Sequence, residues 1–403
     1  MFDNLLFQQA ATLISSDIKN SRIPSSILLS GPEYSGKLTC ALEIARVISC
    51  SGNESGEKGN WFCNCPSCKK NRELLSQNII LTGPKICSLE ILAARQTLLS
   101  AGLNNSAYMD AARFLFLRAV RKLTLRFNPF LWEGNKKLSK IAPLLEEIND
   151  CMEELNPSLP LVENDRLDKI TSIIAENSIK LESSFLYDSI PINQIRKANS
   201  LARLKTADGK KVLIIENADR MNESCRNALL KILEEPPEDS LFILTTSRRG
   251  AVMPTILSRV RTYTLNQRTQ IQESQVIDRV FHENPLKYEN SLKNYLYSFL
   301  TLPGEQIRLQ AKKYYDGILN GKLLSMQEIS DNCNSFEPRA LLTIFLEGVI
   351  EAQKCTDNFE MSSENVACIG ECFNNITIFN IRPVAALEKL YRDLSAIRKK
   401  YLR

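Results

Sequence analysis

The chain has 403 residues, a formal net charge of +5 and a single histidine, His282. One histidine excludes metal sites and mechanisms that need two, such as the metalloprotease helix, and a charge of +5 is too small for a polybasic nucleic-acid coat. The length predicts two or three domains.

The N-terminal stretch carries no targeting signal, because residues 1–17 lack a charged segment ahead of an apolar run. No stretch of the chain reaches the roughly 18 apolar residues that a membrane helix requires, so a soluble, cytoplasmic protein without membrane partners is expected. In that reducing compartment the 12 cysteines are not expected to form disulfides, and a tight cluster among them predicts a metal site.

A strand, a glycine loop and a helix are predicted in succession near the N-terminus. Residues 26–30 form an apolar run, and residues 38–48 carry apolar side chains at helical spacing. The loop between them has Gly31, Gly36 and Lys37 in the pattern Gly-x4-Gly-Lys. In this pattern backbone N–H groups and the lysine bind nucleotide phosphates. The alternative is a chance match in a surface turn.

The position that would hold Mg²⁺ departs from this pattern. Leu38 stands where Ser or Thr is expected, and Thr39 comes one residue late, about 100° around the helix. The loop therefore predicts nucleotide binding without competent placement of Mg²⁺.

Four cysteines follow this helix as C-x12-C-x-C-x2-C, namely Cys50, Cys63, Cys65 and Cys68. Four thiolates complete a tetrahedral Zn²⁺ shell, and a closed shell is structural. A zinc module over about 50–68 is predicted, with Cys40 as a possible substitute ligand. The remaining cysteines are predicted to pack in cores, at positions 40, 87, 151, 225, 333, 355, 368 and 372.

Residues 88–190 have helical periodicity alone and predict a helical insertion. One stretch of it is basic, with Arg113, Arg118, Arg121, Lys122, Arg126, Lys136, Lys137 and Lys140 against only two acids, Asp110 and Glu133. Interleaved aromatic residues are Phe114, Phe116, Phe127, Phe130 and Trp132. Such a stretch is consistent with a face for DNA phosphates. The favoured alternative is that the aromatics pack the core of the insertion beneath solvated arginines and lysines.

A second buried strand is predicted over residues 211–215, which are too apolar to face water. It ends in Glu216-Asn217-Ala-Asp219, where an ATPase of this kind would have Asp-Glu-Ala-Asp. The first acid orients Mg²⁺ and the second polarises the attacking water. Asn217 cannot take a proton, so the chain is predicted to lack ATP hydrolysis of its own.

A helix over residues 223–235 is halted by Pro236, and residues 241–246 predict a third strand. Strands that alternate with helices predict an α/β core with a parallel sheet. Residues 254–259 (PTILSR) follow, and their arginine taken alone would be a solvated or salt-bridged side chain. After residue 266 the periodicity is helical to the end.

Three segments carry a family resemblance. Residues 222–237 (NESCRNALLKILEEPP), 244–247 (LTTS) and 254–259 resemble the core motifs of bacterial clamp-loader proteins of the AAA+ class. The Glu-x-Ala-Asp sequence and the cysteine module make the chain similar to the delta-prime subunits of DNA polymerase III more than to the ATPase gamma/tau subunits. The resemblance covers about 1–87 and 190–265.

This resemblance implies an AAA+ domain over 1–265, a helical lid over 266–315 and a helical collar over 316–403. The collar would pack into a five-subunit ring with gamma/tau and delta subunits, and the ring would place a sliding clamp on primed DNA.

The delta-prime type of subunit is implied to be a non-hydrolysing stator. Ser258 and Arg259 match the pair that inserts an arginine finger into the ATP site of the neighbouring subunit. A guanidinium supplied there stabilises charge on the transferring phosphate. The retained glycine loop leaves residual ATP binding open. Two alternatives to a stator remain: an ATP-hydrolysing motor subunit of the same assembly, and a zinc-containing nucleic-acid-binding protein that uses the basic insertion.

Overall fold

The computed structural model describes residues 1–52, 58–84, 87–187, 189–204, 209–353, 359–377, 379 and 381–401. They divide into two compact units, Met1–Tyr295 and Leu296–Arg403. The strands are β1 Ser26–Ser30, β2 Ile79–Thr82, β3 Lys211–Ile215, β4 Ser240–Thr246 and β5 Arg261–Thr264.

The α-helices that begin in the first unit are α1 Ala10–Lys19, α2 Lys37–Ile48, α3 Pro66–Arg72, α4 Ser88–Leu103, α5 Met109–Thr124, α6 Pro129–Trp132, α7 Leu138–Glu154, α8 Asn164–Phe185, α9 Ile192–Ala202, α10 Glu223–Glu234, α11 Pro254–Leu257, α12 Gln270–Val276 and α13 Leu292–Tyr297. Those of the second unit are α14 Gly304–Asn320, α15 Met326–Asn332, α16 Ala340–Gln353, α17 Phe359–Thr377 and α18 Pro383–Tyr401. In the part of the chain that the structure describes, no helix is long and apolar enough to cross a membrane.

The five strands form one parallel sheet in the order β2-β3-β4-β1-β5. Strands β1, β2 and β4 are buried along their whole length, as a parallel sheet covered on both faces requires. The predicted α/β class is therefore confirmed, and β1, β3 and β4 lie where the apolar runs place them. Strands β2 and β5 are additional to the prediction.

Side chains alternate between the two faces of the sheet. On β1, Leu28 faces a core that includes α4, α5, α7, α8 and α10, whereas Ile27 and Leu29 face a core that includes α1 and α2. The helices of residues 88–190 therefore share one core with the sheet and form one of its covering layers. Among the aromatics of this segment, Phe116, Phe127 and Trp132 are buried in that core.

The expectation of solvated arginines in this segment is wrong for its first half. Arg113 is buried and donates to the carbonyls of Leu155 and Leu159. Arg121 donates to the Glu73 carbonyl at 2.8 Å, and Arg118 donates to the Arg72 carbonyl. A buried guanidinium must satisfy its donors, and carbonyls left free after the last turns of helices accept them. The exposed cations of the stretch lie further along, at Lys136, Lys137 and Lys140.

Every helix or strand described in the second unit is a helix, and these helices share one apolar core. Helices α14 and α16 pack closely enough that a Cβ at Gly348 would lie 2.8 Å from the Ala311 Cβ. Tyr314 is buried in this core and donates to the Leu387 carbonyl at 2.7 Å. The predicted boundary between lid and collar at 315 falls inside α14, which is continuous; the three-domain division itself stays a prediction.

Candidate functional site

The predicted phosphate loop joins β1 to α2 at the carboxyl end of the sheet. Gly36 precedes α2 with φ +92°, a conformation that favours glycine, and Lys37 begins the helix. The Lys37 ammonium is turned back on the loop and donates to the carbonyls of Gly31 at 2.7 Å and Pro32 at 2.5 Å. A bound phosphate would have to take this ammonium away from those two carbonyls.

The two residues after the lysine differ in environment. Leu38 is 4% exposed and packs in the core with α1 and β1. The position where a Ser or Thr hydroxyl would bind Mg²⁺ is therefore occupied by an apolar core side chain. Thr39 is half-buried on the next position of α2. The loop thus keeps the glycines and the lysine of the predicted phosphate-binding pattern, while the hydroxyl expected to bind Mg²⁺ is displaced by one residue.

A second cation holds the loop from outside. Arg268 donates to the Tyr34 carbonyl at 2.5 Å and to the Leu6 carbonyl at 3.1 Å. Burial lowers the pKa of Arg268, and Glu273 partly offsets this. A cleft of about 290 Å³ opens beside it, lined by Pro32, Glu33, Tyr34, Ser35, Gln267, Arg268, Glu273, Ser291 and Lys293. Arg268 follows β5 without any local sequence signal, and sequence reasoning missed it.

Glu216, the first acid after β3, is bound by a cation from the helical segment. It is 5% exposed, and the fully buried Arg126 donates to its carboxylate. Arg126 also donates to the Gly83 carbonyl at 2.8 Å. Burial lowers the pKa of Arg126, but the charges of Glu216 and Cys87, together with hydrogen bonds to both, outweigh burial and leave that pKa above its usual value. A fixed guanidinium therefore neutralises the carboxylate expected to orient Mg²⁺.

The other two polar residues of this strand end are also engaged. Asn217 has φ +52° and its side-chain amide donates to the Pro84 carbonyl. Asp219 is 3% exposed and accepts hydrogen bonds from Thr246 Oγ1 at 2.7 Å and from Arg248 Nη2 at 3.1 Å. These contacts tie the end of β3 to β2 and β4.

Ser258 and Arg259 lie on the surface just after α11. Ser258 is exposed, and the Arg259 side chain is 32% exposed. Arg259 Nη2 donates to Glu234 Oε1 at 2.6 Å, and Nη1 donates to the Thr255 carbonyl at 2.7 Å. An exposed pair of this kind contributes about 0–1 kcal/mol, so a stronger anion can displace Glu234.

The four predicted zinc ligands converge. The sulfurs of Cys50, Cys63, Cys65 and Cys68 all lie within 4.8 Å of one another. Cys50 Sγ lies 3.7 Å from Cys63 Sγ and 3.9 Å from Cys65 Sγ. Four sulfurs around a zinc ion, with Zn–S bonds of about 2.3 Å, lie about 3.8 Å from one another in a regular tetrahedron. The donor set fits a structural zinc ion. Cys40 packs instead in the core with α1 and β1.

Backbone hydrogen bonds favour the thiolate form at two of the four cysteines, whereas burial raises the pKa of the Cys68 thiol. Backbone N–H groups of Gly59 and Cys68 donate to the sulfurs of Cys50 and Cys65 at 3.2 and 3.3 Å. Burial raises the pKa of the Cys65 thiol, but hydrogen bonds from Cys68 and Ser51 outweigh it and bring that pKa to about 6. These donors stabilise the charged ligand form that zinc requires.

Arg46 of α2 connects this cluster to the sheet domain. It is 1% exposed, forms an ion pair with the buried Glu43 at 2.6 Å and donates to Cys68 Sγ at 3.2 Å. It also donates to the carbonyls of Gly59 and Asn60, both at 2.9 Å. Its charge offsets part of the negative charge that four thiolates bring to a divalent ion.

We expect the purified full-length chain to contain about one zinc ion per molecule. The double variant Cys63→Ser, Cys68→Ser removes two sulfurs from the tetrahedron and is expected to lose the ion, as measured by elemental analysis. Cys368→Ser, in the second unit, is the matched control and is expected to retain it. Equal zinc content in the two variants would contradict the assignment.

Known proteins similar to this chain include subunits of DNA polymerase III. A family model described as "DNA polymerase III, delta subunit" matches residues 7–128 and 143–269. The chain is 35% identical over 78 residues to DNA polymerase III subunit delta' of Haemophilus influenzae, which is 19% of this chain and 24% of that protein. It is 35% identical over 75 residues to subunit delta' of Bacillus subtilis, 19% of this chain and 22% of that protein. It is 45% identical over 53 residues to subunit gamma/tau of Mycobacterium tuberculosis, 13% of this chain and 9% of that protein.

These matches span about a quarter or less of the length of these curated relatives. A solved structure of a DNA polymerase III gamma subunit-related protein from Thermotoga maritima covers 52% of this chain and 81% of its own, at 20% identity and a TM-score of 0.26. The family match includes 88–128 and 143–190, so the restriction of the resemblance to 1–87 and 190–265 was wrong. Most of the helical segment belongs to the part of the chain that the family shares.

Proposed function

The chain belongs to the DNA polymerase III delta-subunit family, and from that premise we propose that it is a non-hydrolysing, delta-prime-type subunit of the assembly that loads the replicative sliding clamp. We further propose that it donates Arg259 to the ATP site of a neighbouring ATPase subunit. The observation that carries the proposal is the buried ion pair between Arg126 and Glu216.

This ion pair argues against hydrolysis by the chain itself. Orientation of Mg²⁺ would require Glu216 to exchange Arg126 for the ion, and Arg126 would then be a buried cation without its partner. The next position, Asn217, cannot accept a proton, and its amide is held by the Pro84 carbonyl. Leu38 supplies no hydroxyl for Mg²⁺. Three separate parts of the hydrolytic machinery are therefore absent or engaged elsewhere in the described chain.

The surface position of Arg259 supports a role in trans. A finger must leave its own subunit and enter a neighbour, so it has to be exposed and held by contacts that can be broken. Arg259 meets both conditions, because its side chain is 32% exposed and its ionic partner Glu234 is 49% exposed. Its planar guanidinium can form paired hydrogen bonds to phosphate oxygens.

ATP binding without turnover fits the phosphate loop. The glycines and Lys37 are in place, although the loop carbonyls hold the lysine. Within the proposal, the other subunits of the ring are of the gamma/tau and delta types, and the ring acts on the clamp and on primed DNA. The nucleic-acid-binding alternative loses support because Arg113, Arg118, Arg121 and Arg126 are bound to carbonyls or to Glu216.

The isolated full-length chain is expected to show no magnesium-dependent ATP turnover above background, because Asn217 cannot act as a base and the Glu216 carboxylate is paired with Arg126. Phosphate release is measured for the wild type and for Lys37→Ala, which are expected to be indistinguishable. Turnover by the wild type that Lys37→Ala abolishes would identify a motor subunit and overturn the non-hydrolysing assignment.

A further inference from the structure

Three contacts within the chain fix the plane of the Arg259 guanidinium. Nη2 donates to Glu234 Oε1 at 2.6 Å, while Nη1 donates to the Thr255 carbonyl at 2.7 Å and to Ser258 Oγ at 3.3 Å. Both terminal nitrogens are engaged, although the side chain stays partly exposed. A surface arginine ordinarily samples many rotamers, whereas these contacts restrict the Arg259 side chain to few.

Glu234 lies at the C-terminal end of a helix whose apolar face is buried. It is the last residue of α10, where the partial negative charge of the helix end disfavours a carboxylate. Helix α10 itself is held rigidly, because Leu229, Ile232 and Leu233 are buried in the core beneath the sheet. Glu234 thus places a carboxylate against local preference, on a fixed element, directly opposite Arg259.

We infer that Glu234 is a positioning residue for Arg259, which orients the guanidinium before it meets the phosphate of the neighbouring subunit. This inference rests on the proposed function. An arginine that arrives already oriented loses little freedom when it binds the transition state, whereas a freely rotating one loses more and reacts more slowly. Glu234 therefore acts through Arg259 and touches no reacting atom.

The test uses the reconstituted full-length assembly, stimulated by clamp and primed DNA. Glu234→Gln keeps an oxygen acceptor but removes the charge, and is expected to lower kcat by about threefold with KM for ATP unchanged. Glu234→Asp, which keeps the carboxylate, is expected to recover part of the loss. The matched control is Glu235→Gln: Glu235 is exposed, and the groups that bind Arg259 among the described residues do not include it. This control removes the same charge one residue away and is expected to turn over like the wild type.

A double-variant comparison separates positioning from a general effect on the ring. In an Arg259→Ala background, Glu234→Gln is expected to cause no further loss, because the group that it orients is gone. An additional loss of the same size there, or an equal loss in Glu235→Gln, would overturn the inference. Native mass spectrometry and thermal midpoints confirm that each variant assembles and folds.

The outcome for Arg259→Ala alone distinguishes a failure of the positioning role of Glu234 from a failure of the proposed function. If Arg259→Ala lowers turnover but Glu234→Gln matches the wild type, the positioning role is wrong and the proposed function stands. If Arg259→Ala itself leaves turnover unchanged, the proposed finger is wrong and the role of Glu234 falls with it.

Discussion

Replacing Arg259 by alanine is expected to lower the clamp- and DNA-stimulated ATP turnover of the reconstituted assembly by about 10³-fold at each site that this chain completes. The transferring phosphoryl group carries charge on its equatorial oxygens, and a guanidinium that approaches from the neighbouring subunit stabilises it. Alanine removes that charge and leaves the fold intact, because Arg259 is a surface residue whose ionic partner is exposed.

The measurement has to isolate one site of the ring. Single-turnover ATP hydrolysis, in assemblies whose other sites are inactivated by substitution of their own loop lysines, reports the site that faces this chain. Arg259→Lys keeps the charge but loses the planar fork and is expected to recover only a small part of the rate. Arg22→Ala is the control. Arg22 is exposed and precedes β1, so it lies near the amino end of this strand, whereas the phosphate loop follows the carboxyl end. Single-turnover rates for Arg259→Ala equal to those of this control would refute the finger.

Local sequence signals predicted the parts of the site that lie close together along the chain. The glycine loop is framed by β1 and α2 where the apolar runs place them, and three of the four zinc ligands fall within six residues. Strand β5 has only four residues and one buried side chain, Tyr263, so the sequence shows no alternation of apolar and polar residues from which a strand could be predicted. Strand β2 is equally short.

The partners of the functional side chains could not be predicted in this way. Arg126 lies 90 residues before Glu216, and Arg259 lies 25 residues after Glu234. Only the fold brings these pairs together, because the helices of residues 88–190 cover the sheet and carry Arg126 to the end of β3. From the sequence alone, Arg113 and Arg126 are expected to be charged surface residues. Both are buried, because hydrogen bonds to carbonyls and to Glu216 offset the cost of burying their charges.

Substitution of Arg126 by methionine is expected to reduce the free energy of unfolding of the first unit by about 3–5 kcal/mol, because it leaves the Glu216 carboxylate buried without its cation. Both tryptophans of the chain, Trp61 and Trp132, lie in this unit, so fluorescence during urea unfolding follows it. Lys136→Met, at an exposed position of the same segment, is the control and is expected to change stability by less than about 0.5 kcal/mol.

The pH dependence and a second substitution show whether the buried charge is the cause. Without the charge of Arg126, burial disfavours the ionised form of Glu216 and raises the pKa of its carboxyl above the unfolded value. The folded variant therefore binds more protons than the unfolded one, and its deficit relative to the wild type grows as pH rises between these two pKa values. Adding Glu216→Gln removes the charge, so the double variant is expected to recover much of the loss and its pH dependence. A deficit that is independent of pH and persists in the double variant would mean that packing of Arg126, rather than its charge, holds the end of β3. Recovery would instead mean that the charge of Arg126 compensates the buried carboxylate of Glu216, as the proposed non-hydrolysing role requires.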